Sequence, residues 1–127
     1  MARRKSPNLT EAELRLMNVL WKIGQGTVGD VVDALPAAGP TLAYTTVLTT
    51  LRILEAKGYV RHTKTGRAFV YQPLVGQKEA GRRAIRHLVS RFFGGSPARL
   101  VMNLLEQEKI DSDELKRIRA MIDEDSE

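Results

Sequence analysis

From Glu11 onward the apolar residues fall at helical intervals. Leu14, Met17, Leu20 and Trp21 share one face, which predicts an amphipathic helix. Thr10 with Glu13 three residues on predicts a capping box at its start, and Gly24 and Gly26 end it. Val28, Val31, Val32 and Leu35 predict a second, short helix opened by Thr27-Val28-Gly29-Asp30 and stopped by Pro36. Pro40 restricts Gly39 and closes the loop that follows. A third helix is expected from 42 or 43 to 57, with Gly58 just beyond its end. The period then changes. Residues 59–65 and 68–74 read as two strands, with Gly66 supplying the permissive backbone of the turn and Pro73 ending the second strand.

The third helix has an unusual polar side. At about 100° per residue, Val47, Leu51 and Leu54 fall in a narrow arc that predicts a core face. Thr45, Thr49, Arg52 and Ala56 fall opposite. Threonine is a poor choice for an exposed helix, where Glu, Lys and Gln are the ordinary residues. A face of short hydroxyls and one arginine approaches another surface closely. Hydroxyls bond phosphates or base edges, threonine methyls touch the thymine methyl, and arginine reads guanine. The plain alternative is a set of tolerated threonines on an ordinary face. The order resolves more than the helix alone. Two short helices joined by a turn fit a helix-turn-helix, and a hairpin with Lys64 and Arg67 near its tip fits a wing that follows the phosphate backbone.

The remaining third of the chain predicts a helical arm. Ile85, Leu88, Val89 and Phe92 form one apolar stripe, broken by Gly94-Gly95. Ser96-Pro97 reads as an N-cap followed by an N1 proline, and Leu100, Val101, Leu104 and Leu105 form a second stripe. Asp111 and Glu114 open a final helix carrying Leu115, Ile118, Met121 and Ile122. So small a set of helices has little to pack on within one chain. A twofold dimer would bury these stripes and place two recognition helices on one face of DNA. The alternative is that they fold back on their own winged helix. The expected organisation is a winged-helix domain over 1–75 and a helical dimerisation region over 76–127. The expected fold class is mainly α with a small β-hairpin.

Charge supports a polyanionic partner. The net charge of +5 lies wholly in residues 1–75, with 10 Lys+Arg against 5 Asp+Glu, while residues 76–127 carry 10 of each. Arg52, Lys57, Arg61 and Lys64, followed by Arg67, surround the single acid Glu55. Arg3, Arg4 and Lys5 either follow a groove or stay unordered.

Other chemistry is thin. The chain has no cysteine, which excludes disulfides, thiolate metal sites and cysteine nucleophiles. His62 and His87 stand alone, and His62 reads as a surface or phosphate-side residue rather than a ligand. Asp111, Asp113 and Glu114 do not match a calcium loop, and Gly94-Gly95-Ser96 is neither a P-loop nor a nucleophile elbow. Asp123, Glu124 and Asp125 sit in an acidic tail. No enzyme, metal or cofactor is expected. No apolar run is long enough to span a membrane, and no apolar segment follows the basic start, so neither membrane insertion nor a signal peptide is expected. The expected location is cytoplasmic.

The stretches LTEAELRLMNVLWKIGQGTVGDVVDAL, AYTTVLTTLRILEAKGYV, GRAFVYQP and LVMNLLEQE resemble the penicillinase-repressor family of bacterial regulators, the BlaI/MecI/CopY type. The likeness spans about residues 8–124. It implies a homodimeric repressor whose winged helix binds a palindromic operator in double-stranded DNA. It places Thr45, Thr46 and Thr49 in the recognition helix and Gly66-Arg67 in the wing. Tyr44, Arg52 and Lys64 complete the set of expected DNA contacts. It also implies that induction cuts the Asn103-Leu104 bond, through a membrane-bound sensor protease. Leu104 stands where the best-studied branch of the family typically has Phe, and Ile53 where a basic residue is frequent in the family. The copper-sensing branch uses cysteines, and this chain has none. Two other readings stay open: a winged-helix regulator released by direct small-molecule binding, and a protein-interaction module that does not bind DNA.

Overall fold

The computed structural model describes residues 8–125, so the basic run Arg3-Arg4-Lys5 lies outside the described residues. The elements run α1 (Glu11–Ile23), α2 (Val28–Ala34), α3 (Tyr44–Ala56), β1 (Val60–Thr65), β2 (Ala68–Pro73), α4 (Gln77–Phe92), α5 (Pro97–Gln107) and α6 (Ser112–Asp125). The fold is a winged helix-turn-helix followed by a helical arm. Two compact units divide the chain between Ile85 and Arg86, inside α4 and ten residues beyond the expected boundary. The reason is local. Val75 and Ala80 are buried in the same cluster as the winged-helix core, so the start of α4 belongs to the first unit.

In that unit, helices α1 to α3 pack around Leu16, Met17, Leu20, Val31, Val47, Leu51 and Leu54, all fully buried. Tyr59, Val60 and Tyr71 close the core from the hairpin side. The hairpin is antiparallel, with Val60 opposite Pro73 and Thr65 opposite Ala68. Gly26 adds a third edge by exchanging two backbone hydrogen bonds with Tyr71, at 3.0 and 2.8 Å. A Cβ at Gly26 would lie 2.9 Å from Asp30 Cβ, so this close approach requires glycine.

The helix ends are chemically marked. Thr10 and Glu13 form the expected capping box on α1. A second box opens α2: Thr27 Oγ1 accepts from the Asp30 amide at 3.1 Å, and Asp30 Oδ2 accepts from the Thr27 amide at 3.0 Å. The Thr-x-x-Asp spacing carries this signal in the sequence, where it marks the helix start. At the far end of α3 the Tyr59 amide donates to Leu54 O at 2.9 Å and the Gly58 amide to Glu55 O at 3.0 Å, with Gly58 at φ +85°. That pairing is a Schellman termination, and it turns the chain directly from α3 into β1. Trp21 Nε1 donates to Val75 O at 2.9 Å, tying α1 to the segment that leads into α4.

The α2 cap is the weakest of these ties because it is exposed. Thr27→Ala should lower stability by about 1 kcal/mol, a drop of about 4–8 °C in the unfolding midpoint. Thr27→Ser should restore it. Thermal melts followed by circular dichroism at 222 nm check both variants.

The second unit buries little of its apolar surface. Of the described residues, Val89 is buried, while Leu88, Phe92, Val101, Leu104, Leu105, Leu115, Ile118, Met121 and Ile122 are exposed. Ser96 caps α5 through the Arg99 amide with Pro97 at the first turn, as its sequence predicts.

Candidate nucleic-acid interface

The site is built from α3 and the hairpin. On α3, Val47, Leu51 and Leu54 face the core, and Tyr44, Thr45, Thr46, Thr49 and Arg52 are all exposed. Thr50 alone among the four threonines is buried, and its hydroxyl donates to Thr46 O at 2.7 Å. Ala43 offers no side-chain cap at the start of α3, unlike Thr10 and Thr27 on the two preceding helices. The exposed first turn therefore keeps the partial positive charge that anions favour.

Thr49 behaves differently from the simple expectation of a hydroxyl donating to phosphate. Its Oγ1 donates to Thr45 O at 2.9 Å, so its proton is already engaged. What remains for a partner is a pair of acceptor lone pairs and a methyl group. Both suit a base edge better than a phosphate oxygen, which needs a donor.

In the hairpin, the tip is the two-residue loop Gly66-Arg67, with φ +63° at Gly66. Glycine with positive φ at the first loop position is the II′ arrangement, whose twist matches that of the strands. Lys64 faces Phe69 across the ladder, and Arg61, Lys64 and Arg67 are exposed. Lys57 is not part of this positive surface. Its Nζ lies 2.7 Å from Glu13 Oε1 and 2.9 Å from Asn8 O, and its side chain is 7% exposed. The charge that the sequence places near the wing is thus spent in a buried ion pair between α1 and the end of α3.

A further pair joins α3 to the wing. His62 Nδ1 sits 2.7 and 2.8 Å from the two carboxylate oxygens of Glu55, and its backbone amide donates to the same group at 3.3 Å. The imidazole also lies 4.7 Å from the Phe69 ring and 5.5 Å from the Tyr71 ring. Burial, and secondarily the Glu55 carboxylate, raise the Tyr71 phenol above its ordinary value, with Arg52 opposing and Tyr44 adding slightly. Tyr71 therefore stays a neutral phenol throughout the physiological range. The sequence shows His62 as isolated. Its partner is seven residues away and meets it only because the Schellman turn folds β1 back along α3.

The expected arm residues divide. Ile85, Leu88, Phe92, Val101, Leu104, Leu105, Leu115, Ile118 and Ile122 are exposed, Leu100 is half-buried, and Val89 is already buried within one chain. Asn103 and Leu104 lie in the interior of α5. Among the described residues no group of three or more His, Cys, Asp or Glu side chains gathers to hold a metal ion, and no helix is long and apolar enough to cross a membrane.

A hydroxyl-rich exposed helix beside a basic hairpin, both carried on a three-helix core, defines a winged-helix DNA-binding regulator. A family model described as Penicillinase repressor matches residues 9–124, and the chain belongs to that family, one of transcriptional repressors rather than enzymes. It is 29% identical over 121 residues to the penicillinase repressor of Bacillus licheniformis, covering 95% of this chain and 94% of the relative. It is 21% identical over 118 residues to the methicillin resistance regulatory protein MecI of Staphylococcus aureus (strain N315), covering 93% and 95%. The solution structure of the DNA-binding domain of the repressor BlaI superposes with a TM-score of 0.51 at 34% identity, over 61% of this chain and 93% of that one.

Proposed function

We propose that this protein is a cytoplasmic homodimeric repressor that binds a palindromic operator and is released when its arm is cut. The observation that carries the reading is the exposed face of α3, with Tyr44, Thr45, Thr46, Thr49 and Arg52 set beside a wing bearing Lys64 and Arg67. In this reading α3 enters the major groove. Thr49 and Arg52 meet base edges, and Lys64 and Arg67 neutralise phosphates along the flanking backbone. The apolar stripes of α4, α5 and α6 meet their copies in a second chain, which spaces two recognition helices for one operator.

Release is proposed at the Asn103-Leu104 bond. That bond lies inside α5, so a protease acts on it only when the helix opens locally. The cut removes the end of α5 and all of α6 from the seam. Each winged helix then binds its half-site alone, and the avidity gain disappears. One fragment ending at Asn103 and one beginning at Leu104, found by mass spectrometry in induced cells, are the expected products. An intact chain leaving DNA after induction would rule the cut out.

Fluorescence anisotropy on the duplex upstream of its own gene, against a scrambled duplex and over a salt series, tests the core of the proposal. Two protomers per site, preference for the native duplex and a steep fall with salt are expected. No binding to any duplex at low salt would reject it. In the same assay Arg67→Ala should weaken both duplexes alike and reduce the salt slope by about 1 per protomer, because it removes a phosphate contact. Thr49→Val removes the hydroxyl and keeps the shape. It should act chiefly on the native duplex, by about 1–2 kcal/mol per half-site, if Thr49 reads a base.

A further inference from the structure

Strand β2 carries an aromatic residue that the core does not use. In the hairpin, His62, Lys64, Phe69 and Tyr71 lie on one face, since His62 pairs with Tyr71 and Lys64 with Phe69 across the ladder. This is the core-facing side, because Tyr71 on it is fully buried. The hairpin runs beyond the helices, however, and Phe69 is left 42% exposed on that inner face. Residues 63–68, which lead up to it around the turn, are all exposed.

The ring is also supported from behind. His62 lies 4.7 Å from it, and His62 in turn is held by both oxygens of Glu55, which comes from the last turn of α3. A solvent-facing phenylalanine has no need of such backing. An aromatic that must press on a partner does, because a fixed ring loses little conformational freedom on contact.

We infer that Phe69 is a DNA-contacting residue: an apolar wedge on the inner face of the wing that packs against the deoxyribose edge of the strand bordering the recognition helix, with His62 and Glu55 as positioning residues behind it. The inference rests on the DNA-binding reading above. The partner is duplex DNA because the ring is continuous with that interface and sits between cations. Lys64 stands opposite it and Arg67 two residues before it, so phosphates are drawn to either side. Between neighbouring phosphates the backbone presents the carbon-bound hydrogens of the sugar, the apolar surface that an aromatic ring covers. Side chains of this kind recur where proteins press on the minor groove and its rim.

The contact has a signature that separates it from charge and from folding. Phe69→Ala removes apolar area and no charge. Its line of log affinity against log salt should therefore run parallel to the wild type and lie lower by about tenfold per protomer. Arg67→Ala should instead change the slope. Phe69→Leu should recover part of the loss. The thermal midpoint of Phe69→Ala should stay within about 2 °C of wild type, since the ring is largely outside the core.

A double-mutant cycle tests the backing. His62→Ala should weaken binding severalfold in the wild-type background and add little to Phe69→Ala. All variants are measured as full-length chains on the operator duplex. If wild type binds and Phe69→Ala binds within twofold of it, the wedge is wrong while the repressor reading stands. A loss matched by a large fall in the thermal midpoint would make Phe69 a structural residue and overturn the inference. Full additivity of His62→Ala and Phe69→Ala would overturn the positioning role. If the wild-type chain binds no duplex, the repressor reading fails and takes the contact with it.

Discussion

Lys57→Met should destabilise the winged helix by about 3 kcal/mol, and the midpoint of thermal unfolding should fall by about 10–20 °C. The Glu13 and Lys57 side chains are 6% and 7% exposed and meet at 2.7 Å. Removing the ammonium leaves Glu13 buried with its Thr10 amide donor at 3.0 Å and no counter-charge. It also takes a donor from Asn8 O. The cost comes from stranding a desolvated carboxylate more than from losing an attraction. Glu13→Gln in the same chain should therefore recover much of the loss. The amide oxygen still accepts from Thr10 while the charge is gone. Urea titrations of the wild type and both variants check this. A single-variant loss under about 0.5 kcal/mol would show that the pair is wetted and marginal.

Ile118→Asp should leave the winged helix folded and weaken operator binding by about 10²–10⁴-fold. Leu115, Ile118 and Ile122 repeat at helical spacing on α6 and are all exposed in one chain. A carboxylate placed there cannot be buried against a second copy without a heavy desolvation cost. In the proposed dimer both half-sites are bound for one loss of translational freedom, and in the monomer each binds alone. Sedimentation velocity should show a monomer, and anisotropy should show weak binding to a half-site duplex unchanged from wild type. A dimer that survives the substitution would place the seam on other residues.

These expectations draw on different depths of the sequence. The three helices and hairpin of the first unit are legible because local signals agree there. Val47, Leu51 and Leu54 share one arc, Gly58 stands at the helix end, and Gly66-Arg67 separates two β-like runs. The exposed face of α3 follows from the same wheel. Lys57 is the instructive miss. Its partner Glu13 is 44 residues away, and nothing in the spacing of charges announces that the two meet. A basic residue in a basic stretch reads as surface until packing places it. Phe69 escaped for the opposite reason. Alternation assigns it to the inner face of β2, and an inner face is read as core. Only the length of the hairpin past the helices shows that this part of the face is uncovered. Glu55 and His62 needed the geometry of the turn at Gly58 before either had a visible partner. In the arm, the stripes were plain from spacing, but periodicity does not distinguish Val89, buried within one chain, from its exposed neighbours.

The hydrogen bond from Trp21 to the carbonyl of Val75 has a practical corollary. Trp21 is the chain's one tryptophan, so its intrinsic emission has a single origin. That origin lies where the polypeptide leaves the hairpin and starts toward α4. Freeing the indole N–H to water should shift its spectrum to the red. The molecule thus carries a native optical gauge of whether that exit segment is seated, readable without a label while DNA, protease or denaturant is added.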